Sequence, residues 1–252
     1  MDAPQQFPDN LPFDPAPPTP LTLEESLRLE RLERAAGEAS RDPVPVLSLI
    51  TNRRGLVGRT VDEVVKAAVQ GGVNHVQLRE LDLNARELLT LAEWMREVIG
   101  TRAVFVVHER VDVALAAEAD GVQLTPQSLP TRVVRKLVGS QRLIGRTTYS
   151  LNDAVRAARD GADYVLLGPV YDSAAHPKSK LLEVDTIALA AQRLEVPLIA
   201  FGGLNQGNLA AIIKAGAVGI AVSAVVMMAA NPMAAAEALH NEIEFARSSK
   251  KS

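Results

Sequence analysis

Apolar residues along the chain fall into short runs that alternate with segments of helical periodicity, and this alternation points to one fold class. From Val44 onward, the runs Val46–Ile50, Asn74–Arg79, Ala103–His108, Gly121–Leu124, Leu143–Thr147, Asp163–Gly168, Pro197–Phe201 and Val218–Ser223 have the length and content of buried strands. Between them, Val61–Gln70, Ala85–Ile99, Leu151–Arg159, Val184–Leu194 and Asn208–Ala215 gather their apolar residues on one helical face. Strands that alternate with helices pair in parallel. Eight of them predict an α/β fold, a single (β/α)8 TIM barrel over residues 43–247. A Gly-containing pair recurs where a helix runs into a strand, at Gly71-Gly72, Asp120-Gly121, Gly161-Ala162 and Gly216-Ala217, before the second, fourth, sixth and eighth strands. Glycine there is expected to take the left-handed conformation that ends a helix. Its recurrence every two βα units favours a barrel over an open sheet.

The segments outside the barrel read differently. Residues 1–20 carry seven prolines and no apolar period, so they are expected to form a disordered tail. Residues 21–42 open with Thr22 and Glu25 at capping-box spacing and continue with Leu23, Leu27, Leu29 and Leu32 among charges. This predicts an extra N-terminal helix with a leucine stripe, docked on the barrel or on a partner; a homo-oligomer is one such arrangement. Residues 248–252 are expected to be a flexible C-terminus.

Composition narrows the partners. A net charge of −3, without a dense Lys/Arg block, argues against nucleic acid and against an anionic membrane surface. The chain has no cysteine, which removes disulfides, thiolate zinc sites and Cys nucleophiles and fits a cytoplasmic protein. No apolar run reaches the roughly 18 residues that would cross a bilayer.

Strand parity then selects candidate chemistry. In the second strand Val76 and Leu78 should face the helices, which turns His75, Gln77 and Arg79 inward and sets Gln77 and Arg79 at the mouth. Arg79 is a clamp for phosphate or pyrophosphate, with Gln77 as a neutral neighbour; the bland reading pairs Arg79 with Glu80 or Asp82. His108 and Glu109 offer an imidazole and a carboxylate for acid/base work or magnesium binding. Gly202-Gly203 after the seventh strand and Ser223 ending the eighth suit a phosphate, because backbone N–H groups there approach an anion closely; alternatively the Gly pair is only a tight turn. His176 and Lys178 occupy a loop after the sixth strand that could close on an anion. His75 is expected deeper in the barrel and His240 on the terminal helix, with no role for either; Trp94, Met227 and Met228 read as core or interface.

Several stretches together resemble the thiamine-phosphate synthase/TenI family across about Val44 to Leu239. They include Leu49-Ile50-Thr51-Asn52, Val76-Gln77-Leu78-Arg79, Ala119-Asp120-Gly121-Val122-Gln123-Leu124, Gly161-Ala162-Asp163-Tyr164-Val165, Gly168-Pro169-Val170-Tyr171, Gly202-Gly203 and Gly219-Ile220-Ala221-Val222-Ser223. The resemblance implies a barrel that binds a phosphorylated small molecule, a thiazole phosphate or thiamine phosphate, at Gly202, Gly203, Val222, Ser223 and Thr147. For synthases it implies a transferase that joins a hydroxymethylpyrimidine pyrophosphate to a hydroxyethylthiazole phosphate with Mg2+. For TenI-type members it implies tautomerisation of a thiazole phosphate carboxylate, and a catalytically silent phosphate-ligand-binding protein is a third reading. Several positions depart from the synthase pattern. Leu81 stands in place of a lysine, His108-Glu109 in place of Asn-Asp, Gln123 in place of a histidine and Ser128 in place of a magnesium-binding carboxylate. Pro169 and Tyr149 occupy the two positions where TenI-type members carry histidines.

Overall fold

The computed structural model describes residues 45–173 and 180–249. The expected tail at 1–20, the helix at 21–42, His176, Lys178 and residues 250–252 lie outside them. Eight parallel strands, β1 (Val46–Ile50), β2 (His75–Leu78), β3 (Val104–His108), β4 (Gly121–Leu124), β5 (Leu143–Thr148), β6 (Tyr164–Leu167), β7 (Leu198–Phe201) and β8 (Gly219–Val222), pair in sequence order. The pairing of β1 with β8 closes the barrel. Helices α1 (Val61–Gln70), α2 (Ala85–Ile99), α3 (Val111–Ala116), α4 (Thr131–Val138), α5 (Leu151–Arg159), α6 (Val184–Arg193) and α7 (Leu209–Ala215) join successive strands. A short α8 (Ala224–Met227) and α9 (Pro232–Ser248) follow β8.

Alternation along the strands builds two cores. Leu47, Leu49, Val76, Leu78 and Phe105 pack outward against the helix layer, whereas Tyr164, Leu166, Ile199, Phe201 and Ala221 form a separate cluster inside the barrel. Local chemistry starts the helices. Asn84 Oδ1 accepts from the N–H groups of Arg86 (3.0 Å) and Glu87 (3.1 Å), and Glu87 Oε2 reaches back to the Asn84 N–H (3.0 Å), a full capping box for α2.

The two-unit recurrence in the sequence has a structural counterpart at the base of the barrel. The residue just before each of β2, β4 and β6 presents a side-chain oxygen to the second residue of the preceding strand. Asn74 accepts from Leu47 N–H (3.0 Å), Asp120 from Phe105 N–H (2.8 Å) and Asp163 from Ile144 N–H (2.6 Å). Arg96 and Arg135, from α2 and α4, brace the two aspartates at 2.7 and 2.5 Å. Asn74 and Asp163 fall just outside the strands expected to contain them, although their N–H groups still donate to the Leu47 (3.2 Å) and Ile144 (2.9 Å) carbonyls. Arg79, Ala103, Gly168, Val218 and Ser223 likewise fall just outside, as does Pro197, whose nitrogen has no hydrogen to donate.

One glycine serves a purpose other than the expected one. Gly121 is the first residue of β4, and the left-handed position after α3 is taken by Glu118, at φ 49°. A Cβ on Gly121 would lie 2.3 Å from the Leu143 carbonyl oxygen, so close approach of β5 demands the glycine. Of the three residues read as core or interface, Met227 is fully buried, whereas Trp94 and Met228 stand half exposed.

Candidate functional site

At the C-terminal ends of the strands two polar arcs occupy opposite sides of one mouth, the first on β2 to β4 and the second on β7 and β8. In the first arc, parity places Gln77 and His108 inside as expected, both buried. Gln77 Nε2 donates to His108 Nδ1 (2.9 Å), which leaves the imidazole proton on Nε2. Burial and then the nearby Arg79 charge outweigh Glu109 and push the His108 pKa down to about 4, so the ring is neutral at physiological pH.

Glu109 adopts φ 59°, a left-handed conformation that a non-glycine residue holds only when its surroundings impose it. Its N–H donates to the Gln123 carbonyl (2.9 Å), and the turn that follows returns the chain into α3. Carboxylate oxygen Oε1 accepts from Ser128 Oγ (2.7 Å) and from the Thr125 hydroxyl, while Oε2 lies 3.9 Å from His108 Nε2. Burial pulls the Glu109 pKa up, but the two hydroxyls, then His108 and Arg79, outweigh it and hold the group below the ordinary glutamate value. It is an ionised carboxylate with one oxygen occupied and one open.

Arg79 is exposed, and the acidic neighbours that would have neutralised it are engaged elsewhere. Both Glu80 oxygens accept the Arg53 backbone N–H at 3.1 Å, and Asp82 pairs with Arg53 (2.5 Å) and Arg54 (3.3 Å). Arg79 makes no ion pair among the described residues, which removes the bland reading of it.

A second polar chain lies beneath, across the barrel interior. Ser48 Oγ meets His75 Nδ1 (2.8 Å), and His75 Nε2 meets the Tyr164 hydroxyl (3.1 Å). His75 and Tyr164 are buried, and burial lowers the His75 pKa to about 4 and raises that of Tyr164. The chain is therefore a neutral floor. Gly145 is Tyr164's register partner, and a Cβ there would sit 2.3 Å from Tyr164 Cζ, so the small residue makes room for the large one.

The second arc contains Gly202 and Gly203, with φ 96° and 61°, and Ser223 at the N-cap of α8. Among the described residues the N–H groups of Gly203, Ser223, Ala224 and Val225 have no protein acceptor. Ser223 is half-buried and Ala224 exposed, so these donors are open to a ligand. Two expectations change here. A Cβ on Gly203 would meet the Asp172 carbonyl at 2.5 Å and the Tyr171 carbonyl at 2.7 Å, so the pair is required by the β6–α6 loop as well as by any anion. The Val222 side chain turns into the helix layer, leaving only its main chain on the anion side. Thr147 accepts from Gln123 Nε2 (3.0 Å) on the intervening wall, and half-exposed Tyr149 packs edge-on to Phe201 with ring centres 6.0 Å apart. Sequence reading missed Thr125 and assigned no partner to Ser128; their Thr-x-x-Ser spacing at a strand end was the available signal.

Comparison with known proteins gives this mouth its context. Residues 47–226 match the family model described as thiamine monophosphate synthase. The chain belongs to the thiamine-phosphate synthase family. A thiamine-phosphate synthase of Haloarcula marismortui is 39% identical over 204 residues, which is 79% of this chain and 97% of that protein. One from a Roseiflexus species is 35% identical over 213 residues, 81% and 90% of the two chains. The solved thiamine phosphate pyrophosphorylase of Pyrococcus furiosus is 33% identical and superposes with a TM-score of 0.73, covering 80% of this chain and 96% of its own. Family and fold place the chain in thiamine biosynthesis. No described helix is long and apolar enough to cross a membrane.

Proposed function

We propose that this barrel joins a hydroxymethylpyrimidine pyrophosphate to a hydroxyethylthiazole phosphate, releasing thiamine phosphate and pyrophosphate. The observation that carries this reading is the pair of polar arcs across a single mouth, one with the exposed Arg79 guanidinium and the other with main-chain N–H groups that have no acceptor among the described residues. Two phosphorylated substrates need two such sites, held so that their reacting atoms meet between them. The thiazole phosphate is assigned to the main-chain donors of Gly203, Ser223 and Ala224, with Gly202, Val222 and Thr147 shaping that side. The pyrophosphate is assigned to Arg79 and Glu109, with the pyrimidine between them over Gln77 and His108.

In the transfer, the bond from the pyrimidine methylene carbon to the pyrophosphate oxygen breaks, and the thiazole nitrogen lone pair forms the new C–N bond. Negative charge gathers on the departing oxygen, where the exposed Arg79 guanidinium meets it. Neutral His108 adds no positive charge beside the methylene carbon as that carbon becomes electron-poor. The wall made by Phe201 and Tyr149 and the floor made by Tyr164 keep water from competing with the thiazole nitrogen. Glu109 fits magnesium by its chemistry, because Mg2+ takes one or two carboxylates and completes its shell with waters and substrate phosphates. When bound, the ion would neutralise charge on the leaving pyrophosphate.

The test is product formation from both substrates with magnesium, followed by mass spectrometry. Thiamine phosphate and pyrophosphate in equal amounts support the reading. Conversion of a thiazole phosphate carboxylate tautomer instead would assign the TenI-type reaction, and binding of thiazole phosphate without either product would leave a ligand-binding protein.

A further inference from the structure

We propose that Thr125 and Ser128 are positioning residues, whose hydroxyls clamp one oxygen of Glu109 so that the other is presented to a magnesium-pyrophosphate group. The proposal rests on the reading of Glu109 above and goes beyond it, since it gives the hydroxyl at 128 a task of its own.

The geometry points this way in three respects. First, each hydroxyl has a single proton, and both protons are directed at the same carboxylate oxygen, Oε1. A carboxylate tied down only for structural reasons gains as much by sharing its donors between both oxygens; here Oε2 is left without a hydrogen-bond partner among the described residues. Second, the clamp is preorganised. Ser128 Oγ accepts the Thr125 N–H (2.8 Å), Thr125 Oγ1 accepts the Gln127 N–H (3.3 Å), and the Ser128 N–H closes the turn on the Thr125 carbonyl (3.1 Å). The hydroxyls are thus held by their own turn, independently of the carboxylate. Third, Glu109 itself is fixed at its backbone in a left-handed conformation, so only its side-chain torsions remain to be set. Its side chain is 37% exposed and would otherwise sample several rotamers. Arg79 forms no ion pair with Glu109 among the described residues, so both charges stay available to a ligand that carries cation and anion together.

Partners that orient a metal-binding side chain typically contribute about 10- to 100-fold in metal affinity. The experiment is calorimetric titration of the full chain with inorganic pyrophosphate, with and without magnesium. The variants are Ser128→Ala, Thr125→Val, the double variant and the conservative Ser128→Thr and Thr125→Ser. Magnesium should tighten pyrophosphate binding to the parent. That gain should fall about tenfold in each single variant, nearly vanish in the double and return in the conservative pair. Pyrophosphate affinity without magnesium and thiazole phosphate affinity should stay unchanged, and melting temperature should fall by no more than a few degrees, for the turn hydrogen bonds that each variant removes. If the variants keep the full magnesium gain while Glu109→Gln loses it, Glu109 binds the ion and the positioning role is wrong. An equal loss of pyrophosphate affinity with and without magnesium shows that the hydroxyls merely brace the loop, which also overturns the proposal. A parent that shows no magnesium gain at all overturns both this inference and the magnesium assignment, leaving the thiazole phosphate site to be judged by its own titration.

Discussion

Replacing Arg79 by glutamine isolates the charge assigned to the leaving group. The guanidinium is exposed and makes no ion pair among the described residues, while Glu80 and Asp82 are held by Arg53 and Arg54. Among the described residues its removal orphans no ion-pair partner. Stability should therefore change by no more than about 0.5 kcal/mol, the range for a surface substitution away from special features, which is less than about 2 °C in melting temperature for a domain of this size. The reaction should respond very differently. Loss of one donor placed where charge develops costs about 2.7–4 kcal/mol, or roughly 10²- to 10³-fold in kcat. Arg79→Lys restores the charge without the planar fork and should recover part of the rate. Steady-state kinetics on both substrates, alongside thermal melts, separates the two effects. An unchanged kcat in Arg79→Gln, or a melting temperature lower by more than 5 °C or so, would refute this placement of Arg79.

Acid should destabilise the barrel through His75. Its folded pKa, about 4, lies below the ordinary 6.5, so the stability it contributes is complete above about pH 6.5 and is lost as pH falls toward 4. The shift corresponds to about 3 kcal/mol; melts between pH 4.5 and 7.5 should show that slope, and His75→Gln should flatten it even as it lowers stability overall. Gly203→Ala should reduce both melting temperature and thiazole phosphate affinity, because its Cβ would meet two carbonyl oxygens of the β6–α6 loop at 2.5 and 2.7 Å; a variant that melts like the parent would contradict this. Gly145→Ala should destabilise by about 1–3 kcal/mol through overpacking against Tyr164 and Gln123, measured by denaturant midpoint, and Tyr164→Leu in the same chain should recover part of the loss.

Much of this architecture is legible in the sequence because it depends on period alone. The inward turn of His75 and Gln77 follows from strict alternation with Val76 and Leu78, and the alternation of short apolar runs with helical segments is enough to count the eight units of the barrel. What the sequence hides is contact between residues far apart in the chain. Ser128, seen as a residue type, reads as a lost carboxylate; only the folded loops show that it reaches Glu109, nineteen positions away. Gly121 reads as a helix terminator because Asp-Gly looks like one, yet its need arises from the Leu143 carbonyl on the next strand. Val222 sits beside Ser223 in a phosphate-site pattern, but strand parity sends its side chain to the helix layer. The neutrality of His108 depends on burial and on Arg79, neither of which a linear reading can weigh.

The most direct test of the synthase assignment is a single-turnover reaction, with the purified full chain in excess over hydroxymethylpyrimidine pyrophosphate and with thiazole phosphate and magnesium present. The account predicts one thiamine phosphate and one pyrophosphate for each pyrimidine consumed, with the rate reduced about 10²-fold or more in Arg79→Gln. Tight binding of thiazole phosphate with no thiamine phosphate formed would contradict it.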